Sequence, residues 1–393
     1  MRKNIIDKFE FDWDGLQTEL GDLSLSNFRG KNNQEFVKVA LPDFVGNYGL
    51  KENKIYFPKQ FITPHKFVEH VVDYKKCNWL GAVEYLVTLD HENQSFFKNI
   101  LSTSSDNFPK DIYKYALVNR YLLFLRDLSA YENEKPHLIG KTPQPKILLT
   151  HDVDAIDISF GLKIRQYFQN KNWPKLNKSE NLKFFKEIVE MEEKYNTKSI
   201  FFFSAYKPFI SLPLIDPKYK LDNLVSIFQF LESKHFEIGL HPSIVSSFSK
   251  YSLNLEVKKI NKFITTNLIS VRNHWLSFFK NRTWRIQQNC NIKYDFTLGF
   301  NDIPGFRNFC ALHTFSYGDL KSIPTFIMDG QFYNYDFNQK SEVIELIKPY
   351  IDEVKNVGGV ASIDFHQRFF HEFYGYKNLY EDILKYLEKE GLL

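Results

Sequence analysis

Three reactive side chains, His151, Asp152 and Asp154, follow a short apolar run, Ile147 to Thr150, in this chain of 393 residues. The run is typical of a buried strand. Unpaired charged groups are too costly to bury in an apolar core, so these side chains must face water, a cation or each other. Two carboxylates at positions i and i+2 beside an imidazole suit a divalent metal ion and a general base. A turn rich in aspartate explains the same residues, and the rest of the chain bears on the choice.

Other reactive side chains stand where further predicted strands end. His241 ends the run Glu-Ile-Gly-Leu-His, and His366 ends the run Ala-Ser-Ile-Asp-Phe-His. Between them, Arg272 and His274 close another strand-like run. In an α/β barrel the C-terminal strand ends share one mouth, where active sites are built. We therefore expect these side chains, from distant parts of the chain, to converge there.

The elements that must position these groups alternate between strand-like and helix-like patterns after residue 146. The predicted strands are Ile147–Thr150, Ser199–Ser204, Phe236–His241, Ile269–His274, Tyr294–Phe300, Ile323–Asp329 and Val360–His366. Helical patterns fall at 179–196, 221–234, 254–267, 281–290, 341–357 and 376–391. Successive β-α units predict a parallel sheet covered by helices, either open or closed into a barrel.

Residues 1–140 form a smaller, mixed and helix-rich region whose chemistry the sequence does not reveal. A stretch rich in Lys, Pro and Gly, residues 132–145, is the predicted linker to a second domain at 146–393. Helical patterns in the first region run from Thr63 to Tyr85 and over Ile112–Leu128. Three of its histidines lack metal-ligand spacing and are interpreted as structural: His65, His70 and His91.

Composition excludes several classes of protein. The net charge is only +4, with both signs mixed along the chain, which argues against nucleic acid as a partner. The three scattered cysteines are typical of thiols in a reducing compartment. Asp7 and Glu10 interrupt the N-terminus before an apolar signal segment forms, and no run approaches the roughly 18 apolar residues of a membrane helix. We expect a cytoplasmic protein without an integral membrane segment.

Five motifs, in order, resemble those of the polysaccharide deacetylase superfamily, carbohydrate esterase family four. They are Thr-His-Asp-Val-Asp, Glu-Ile-Gly-Leu-His-Pro-Ser, Val-Arg-Asn-His-Trp, Tyr-Asp-Phe-Thr-Leu-Gly-Phe and Ile-Asp-Phe-His, all within residues 146–393. The resemblance implies a distorted (β/α) barrel. It also implies metal-dependent hydrolysis of N- or O-acetyl groups on glycans, usually with Zn²⁺, although another divalent metal is an alternative. The first region is not covered by it.

The resemblance assigns a role to each matching residue. Asp152 matches the family's catalytic base, and Asp154 matches its metal-binding aspartate. His241 matches the first histidine of the family's His-x-x-x-His metal motif. Arg272 matches the arginine that orients the base, and His366 matches the general acid.

The metal motif departs from the family pattern. Val245 stands four residues beyond His241, where the family has its second histidine. Because an open catalytic zinc site normally has three protein ligands and a water, one ligand is missing. We expect His274, at a position where the family usually has proline, to supply it. The alternatives are a His274 that stacks on Trp275 or binds substrate, and a metal or sugar contact from His151.

The predicted partner is a carbohydrate. Trp275 is expected to stack on a sugar ring and Asp295 to contact the sugar, although a capped turn explains Asp295 equally well. The predicted function is metal-dependent removal of N-acetyl or O-acetyl groups from a glycan or activated sugar in surface polysaccharide biosynthesis. Two alternatives stay open: an amidohydrolase acting on a small cyclic amide, and a non-catalytic carbohydrate-binding relative, which the altered metal motif favours.

Overall fold

The computed structural model describes most of the barrel and part of the first region. The described residues are 35–43, 48–50, 53–62, 72–92, 95–104, 108–156, 178–205, 211–212, 216–280, 282–312, 314–317, 319–332, 340–370 and 376–393. The predicted helix start and four histidines lie outside them: Thr63, His65, His70, His313 and His371.

The described residues form twelve strands and nine α-helices, numbered here in chain order. The strands are β1 Phe36–Ala40, β2 Lys54–Pro58, β3 Val72–Asp73, β4 Lys146–Val153, β5 Ile200–Phe203, β6 Glu237–Leu240, β7 Ser270–Val271, β8 Tyr294–Asp295, β9 Thr314–Tyr317, β10 Leu320–Ser322, β11 Thr325–Met328 and β12 Val360–Asp364. The helices are α1 Trp79–Val87, α2 Phe96–Leu101, α3 Leu117–Glu132, α4 Lys178–Lys194, α5 Val225–Ser233, α6 Lys250–Ile260, α7 Thr283–Gln288, α8 Lys340–Asn356 and α9 Tyr376–Glu390.

The large sheet has the strand order β11-β12-β4-β5-β6-β7-β8-β10-β9. Its neighbouring strands are parallel, except that β9 pairs with β10 in the antiparallel direction. Only Ile323 and Pro324 separate β10 from β11, so one segment of chain pairs with β8 and then with β12. With its helices the sheet is a distorted (β/α) barrel, which confirms the predicted fold. All seven predicted strands are present, while the β9–β10 pairing was not predicted.

Apolar side chains fill the barrel interior beneath the strand ends. Phe202, Phe296 and Ile323 are buried there, and we call them the inner cluster. Gly239 gives the Phe202 ring its space, because a Cβ at this position would lie 2.4 Å from a ring carbon. The guanidinium of Arg272 lies 4.8 Å from the centre of the Phe202 ring. The inner cluster therefore forms the floor on which the polar groups of the barrel mouth are built.

The described part of the first region contains a small sheet of order β2-β1-β3 and the helices α1 to α3. The prediction of one helix through Tyr85 is wrong over residues 72–78, which form β3 and a 3₁₀ turn. The helix begins at Trp79 instead, because the Asn78 side chain accepts a hydrogen bond from the Gly81 N–H and caps it. Short paired strands such as Val72–Asp73 carry too few residues for an alternating pattern to show in the sequence.

The first region packs directly on the barrel. Arg120 of α3 forms two hydrogen bonds with the Glu353 carboxylate of α8, at 2.7 and 2.5 Å, and both side chains are buried. Asn119 exchanges hydrogen bonds with the backbone of Ala311. One continuous apolar core includes residues of both parts. The domain boundary placed at residues 140–146 stays a prediction. Among the described residues no helix is both long enough and apolar enough to cross a membrane.

Candidate active site

The end of β4 delivers two carboxylates to the barrel mouth. Successive side chains of a strand point to opposite faces, so Thr150, Asp152 and Asp154 share the inner side. Thr150 and Asp152 both accept hydrogen bonds from Arg272, at 2.7 and 3.0 Å. Asp152 is buried, and Asp154, whose side chain is 12% exposed, lies closer to solvent.

Asp154 lies between two histidines from neighbouring strand ends. Its Oδ1 is 3.2 Å from Nε2 of His241 and 3.8 Å from Nε2 of His274. These three side chains offer ligand atoms that all lie within 4.8 Å of one another. Two ligands of one tetrahedral zinc ion lie roughly 3.3 Å apart when each bond is about 2.0–2.1 Å long. The spacing is therefore close to that required around one ion.

The far nitrogen of each histidine is already engaged. Nδ1 of His241 donates to the Arg272 carbonyl oxygen at 2.7 Å, and Nδ1 of His274 donates to Oδ1 of Asp216 at 3.0 Å. Each ring therefore directs Nε2 toward Asp154. Metal-binding histidines usually have such a partner on the other nitrogen, which fixes the tautomer and the ring orientation.

The donor set fits a divalent metal ion. Oδ1 of Asp154 is buried and has no hydrogen-bond donor among the described residues. Leaving a buried carboxylate oxygen without a partner is costly. A cation shared with the two imidazole nitrogens would satisfy it, because one carboxylate and two histidines match zinc's preference for oxygen and nitrogen ligands.

Arg272 organises the polar groups on the floor of the site. Its Nη1 donates to Asp152 at 3.0 Å and to Asp364 at 2.6 Å, while its other donors reach Thr150, Thr325 and the Phe296 carbonyl oxygen. The bridging guanidinium holds Asp152 in one orientation. Asp152, Asp364 and His366 form a second group of potential metal ligands, and Arg272 donates to both of its carboxylates. Because the guanidinium already lies between the two carboxylates, the group at Asp154 is the better metal site.

Asp364 is buried beside Asp152. Burial and the Asp152 charge raise the pKa of Asp364 to about 7, although the Arg272 charge opposes the change. Its Oδ1 also accepts the Asp152 backbone N–H at 3.1 Å. Asp364 therefore supports the backbone and the guanidinium around the predicted base.

His366 lies on the other side of Asp154. Its Nε2 is 3.3 Å from Oδ2 of Asp154, and its Nδ1 donates to Oδ1 of Asp329 at 2.7 Å. Burial favours the neutral ring, but the carboxylates of Asp329 and Asp154 outweigh it and raise the pKa of His366 well above its usual value. The ring can therefore present a proton to the pocket.

Arg368 brings a second cation to Asp154. Its Nη1 lies 2.8 Å from Oδ2, the carboxylate oxygen that does not face His241. Burial raises the pKa of Asp154, but the charges of Arg368 and His366 outweigh that effect and hold the pKa well below its usual value. Asp154 is therefore a carboxylate with one oxygen paired and the other available.

These groups line an open pocket of about 250 Å³. Its lining combines the acidic and histidine side chains with a few apolar and polar ones. The lining residues are Asp152, Asp154, His241, His274, Trp275, Leu276, Asn301, Met328, Gly330, His366 and Arg368.

Trp275 forms part of the rim and is 44% exposed. Its backbone has φ 59°, and that of the next residue, Leu276, has φ 51°. For L-residues this left-handed conformation costs roughly 1–2 kcal/mol each. Two consecutive bulky residues of this kind show that surrounding contacts impose the loop geometry.

His151 points away from the pocket. It is fully buried on the outer side of β4, where Nδ1 is 2.7 Å from the Phe365 carbonyl oxygen and Nε2 is 2.7 Å from Glu192 of α4. Both ring nitrogens are therefore engaged by the protein. This placement removes His151 from the groups that can contact a metal or sugar in the pocket, and the alternation of side chains along a strand explains it.

Asp295 is also fully buried and does not line the pocket. Its carboxylate accepts hydrogen bonds from Trp284 and Gln287 of α7, and from the backbone and hydroxyl of Thr297. Burial raises its pKa despite these donors. The structure therefore favours the capped turn over a sugar contact.

Asp216, Asp329 and Arg368 bond to predicted site residues and were not themselves predicted. Asp329 stands at the end of a predicted strand, as the predicted site residues do, and this position was an available signal. Arg368 follows His366 by two residues. Asp216 lies in a loop with no pattern that points to a site, and only the fold brings it to His274.

Comparisons with known proteins give a likeness of fold. No protein-family model matches the sequence, and no curated protein sequence matches it. A crystal structure described as a polysaccharide deacetylase from Mycobacterium smegmatis is 12% identical, with a TM-score of 0.40 over 64% of this chain and 96% of that one. A CE4 family pseudoenzyme from Bacillus anthracis is 9% identical, with a TM-score of 0.37 over 64% and 63%. The peptidoglycan deacetylase PdaC from Bacillus subtilis is 12% identical, with a TM-score of 0.30 over 63% and 85%. At these identities the likeness concerns the fold alone.

Proposed function

We propose that this protein is a metal-dependent deacetylase that removes N-acetyl or O-acetyl groups from a glycan or an activated sugar in surface polysaccharide biosynthesis. One observation carries the proposal. The buried Oδ1 of Asp154 lacks a hydrogen-bond donor and faces Nε2 of both His241 and His274. A predicted base, Asp152, and a predicted acid, His366, line the same pocket.

The proposed metal ligands are Asp154, His241 and His274. Zn²⁺ is the first candidate, and another divalent metal is the alternative. When bound, such an ion polarises a substrate carbonyl and lowers the pKa of water, so that a nucleophile exists near neutral pH.

Asp152 is the proposed general base. Arg272 fixes its Oδ1 at 3.0 Å, and its Oδ2 lies 3.7 Å from Nδ1 of His241, on the side of the proposed ligands. A carboxylate held in this way can accept the proton of an attacking water without first having to reorient.

His366 is the proposed general acid. Asp329 holds its Nδ1, so its Nε2 is the nitrogen that faces the pocket. A sugar amine leaves poorly unless it is protonated as the bond to the acyl carbon breaks. A protonated His366 beside the proposed ligands can deliver that proton.

Metal analysis and acetate release test the proposal. Purified protein should retain a divalent ion and release acetate from N-acetylated oligosaccharides. Asp152→Asn should keep the ion and lose about 10²–10⁴-fold in rate, the usual contribution of a general base. Asp111→Asn, an exposed carboxylate outside the pocket, is the control for the change in charge. An ion-loaded protein that is inactive on acetylated sugars but hydrolyses hydantoin-like rings would contradict the proposal in favour of a cyclic-amide hydrolase.

One observation favours a non-catalytic carbohydrate-binding protein as the second candidate. The guanidinium of Arg368 lies 2.8 Å from Asp154, so a cation of the protein itself already neutralises part of this carboxylate. In that case purified protein would hold no ion after dialysis against Zn²⁺ and would still bind oligosaccharide. Arg368→Gln would then weaken sugar binding without creating activity.

A further inference from the structure

We infer that the first region is a working part of the pocket, because its residues hold Trp275 and Leu276 in the left-handed conformation that places the Trp275 ring on the rim. The role of that ring as a sugar platform rests on the proposed function. The holding of the loop does not, because it is argued from hydrogen bonds to the loop's backbone.

The residue types of the loop do not favour this conformation. Left-handed backbone is readily adopted by glycine and asparagine and rarely by tryptophan or leucine, yet Trp275 and Leu276 adopt it consecutively. Leu276 is buried and the Asn273 amide donates to the Ser277 carbonyl oxygen at 2.9 Å, whereas the Trp275 side chain is 44% exposed. Contacts that reach the loop from other elements therefore add to its own bonds in holding this geometry.

Asn301 ties the loop to the end of helix α2. One N–H of its side-chain amide donates to the Trp275 carbonyl oxygen at 2.7 Å, and the other donates to the Leu101 carbonyl oxygen at 2.5 Å. Its backbone N–H donates to the Ser102 carbonyl oxygen at 3.0 Å. One side chain thus links the carbonyl of the rim residue to the last turn of a helix in the first region.

Ser102 ties the next carbonyl in the same way. Its hydroxyl is fully buried and donates to the Leu276 carbonyl oxygen. The direction of this bond is fixed, because a carbonyl oxygen can only accept, and the same hydroxyl oxygen accepts a hydrogen bond from Arg307 at 2.7 Å. Arg307 is itself held by two hydrogen bonds to Glu92, at 2.8 and 3.0 Å.

Two consecutive strained residues therefore each have their carbonyl bound by a donor anchored in the first region. A third bond, from the Phe278 N–H to the Asn99 carbonyl oxygen at 2.8 Å, continues the contact along the loop. Ser102 is thus a positioning residue for Trp275: it lines no part of the pocket and acts through the loop.

Hydrogen exchange of the full-length protein tests the holding of the loop. We expect Ser102→Ala to accelerate amide exchange in the peptide that covers residues 274–279 by about fivefold, the factor that corresponds to one ordinary hydrogen bond. Ser104→Ala is the matched control. Ser104 lies two residues after Ser102, but its hydroxyl donates to Asp302 at 2.6 Å and makes no bond to the loop. Unchanged exchange in Ser102→Ala, or equal acceleration in both variants, would overturn the inference.

Sugar binding tests the consequence for the pocket. With tetra-N-acetylchitotetraose as the probe, we expect Ser102→Ala to raise Kd and KM about fivefold and to leave kcat within about twofold. In a Trp275→Ala background the same substitution should leave Kd unchanged, because the ring it positions is gone. An equal effect in both backgrounds would contradict the positioning role. If wild-type protein neither binds the tetrasaccharide nor releases acetate, the proposed function fails, while hydrogen exchange still decides whether the loop is held.

Discussion

Glu256 lies beneath the loop that follows His241, and replacing it with glutamine should remove a pH-dependent loss of folding stability. Glu256 belongs to α6 and is 1% exposed. Its Oε2 accepts hydrogen bonds from the Ser243 N–H at 3.0 Å and the Ser246 hydroxyl at 3.1 Å. Burial raises its pKa from 4.5 to about 7, because these donors compensate only part of the cost of burying the charge.

The sign of the effect follows from proton binding. Between pH 4.5 and about 7 the folded protein keeps a proton on Glu256 that the unfolded chain has released. The free energy of unfolding therefore falls as the pH rises through this window and is constant on either side of it. Because one pKa unit corresponds to about 1.36 kcal/mol, Glu256 should remove roughly 2–3 kcal/mol of stability between pH 5 and pH 8.

Urea unfolding at pH 5 and pH 8, followed by tryptophan fluorescence, measures this term. From pH 5 to pH 8 the free energy of unfolding of wild type should fall by about 2–3 kcal/mol more than that of Glu256→Gln, since glutamine does not titrate. Glu388→Gln, at an exposed position of α9, controls for the removal of one carboxylate. If wild type and Glu256→Gln lose the same stability, the buried carboxyl does not hold its proton and the reasoning is refuted.

The remaining predictions concern the proposed metal site. His241→Ala should lose the ion and acetate release together, whereas His366→Ala should keep the ion and lose about 10²–10⁴-fold in rate. Metal content and rate are measured on the same samples. Retention of the ion by the His241 variant would contradict the role of His241 as a ligand. Asp216→Asn should weaken metal affinity about 10–100-fold, because the substitution perturbs the hydrogen bond that orients His274. Competition with a chromophoric chelator measures the affinity. An unchanged affinity would remove His274 from the ligand set.

The barrel was predictable because its strands carry a strong local signal. Phe201 to Phe203 is apolar on both faces, as a parallel strand covered by helices must be. The Phe202 ring packs in the inner cluster, while Phe201 and Phe203 face Phe185 of α4. The small sheet of the first region lacked such a signal, because β1 and β2 are only partly buried and each contains a lysine, while β3 has two residues.

The site was predictable only as far as the strand ends. Asp152, Asp154 and His241 follow strands whose order in the sheet is implied by successive β-α units. The side-chain direction of His151 was available from alternation along β4, since it lies between Thr150 and Asp152, which both point inward. The partner of His274 was not available, because Asp216 reaches it from a loop 58 residues away in sequence.

The proposed metal site does not depend on a His-x-x-x-His motif, because the barrel brings a second imidazole from a neighbouring strand. Leu240 of β6 pairs with Val271 of β7, so the segments that follow them leave the sheet at the same level. His241 directly follows Leu240, and His274 comes three residues after Val271. The centres of the two rings lie 5.1 Å apart. Parallel strands that end at one edge can thus supply a second imidazole without the His-x-x-x-His spacing. In the proposed site, His274 therefore takes the place of the second histidine that the sequence resemblance implies at position 245.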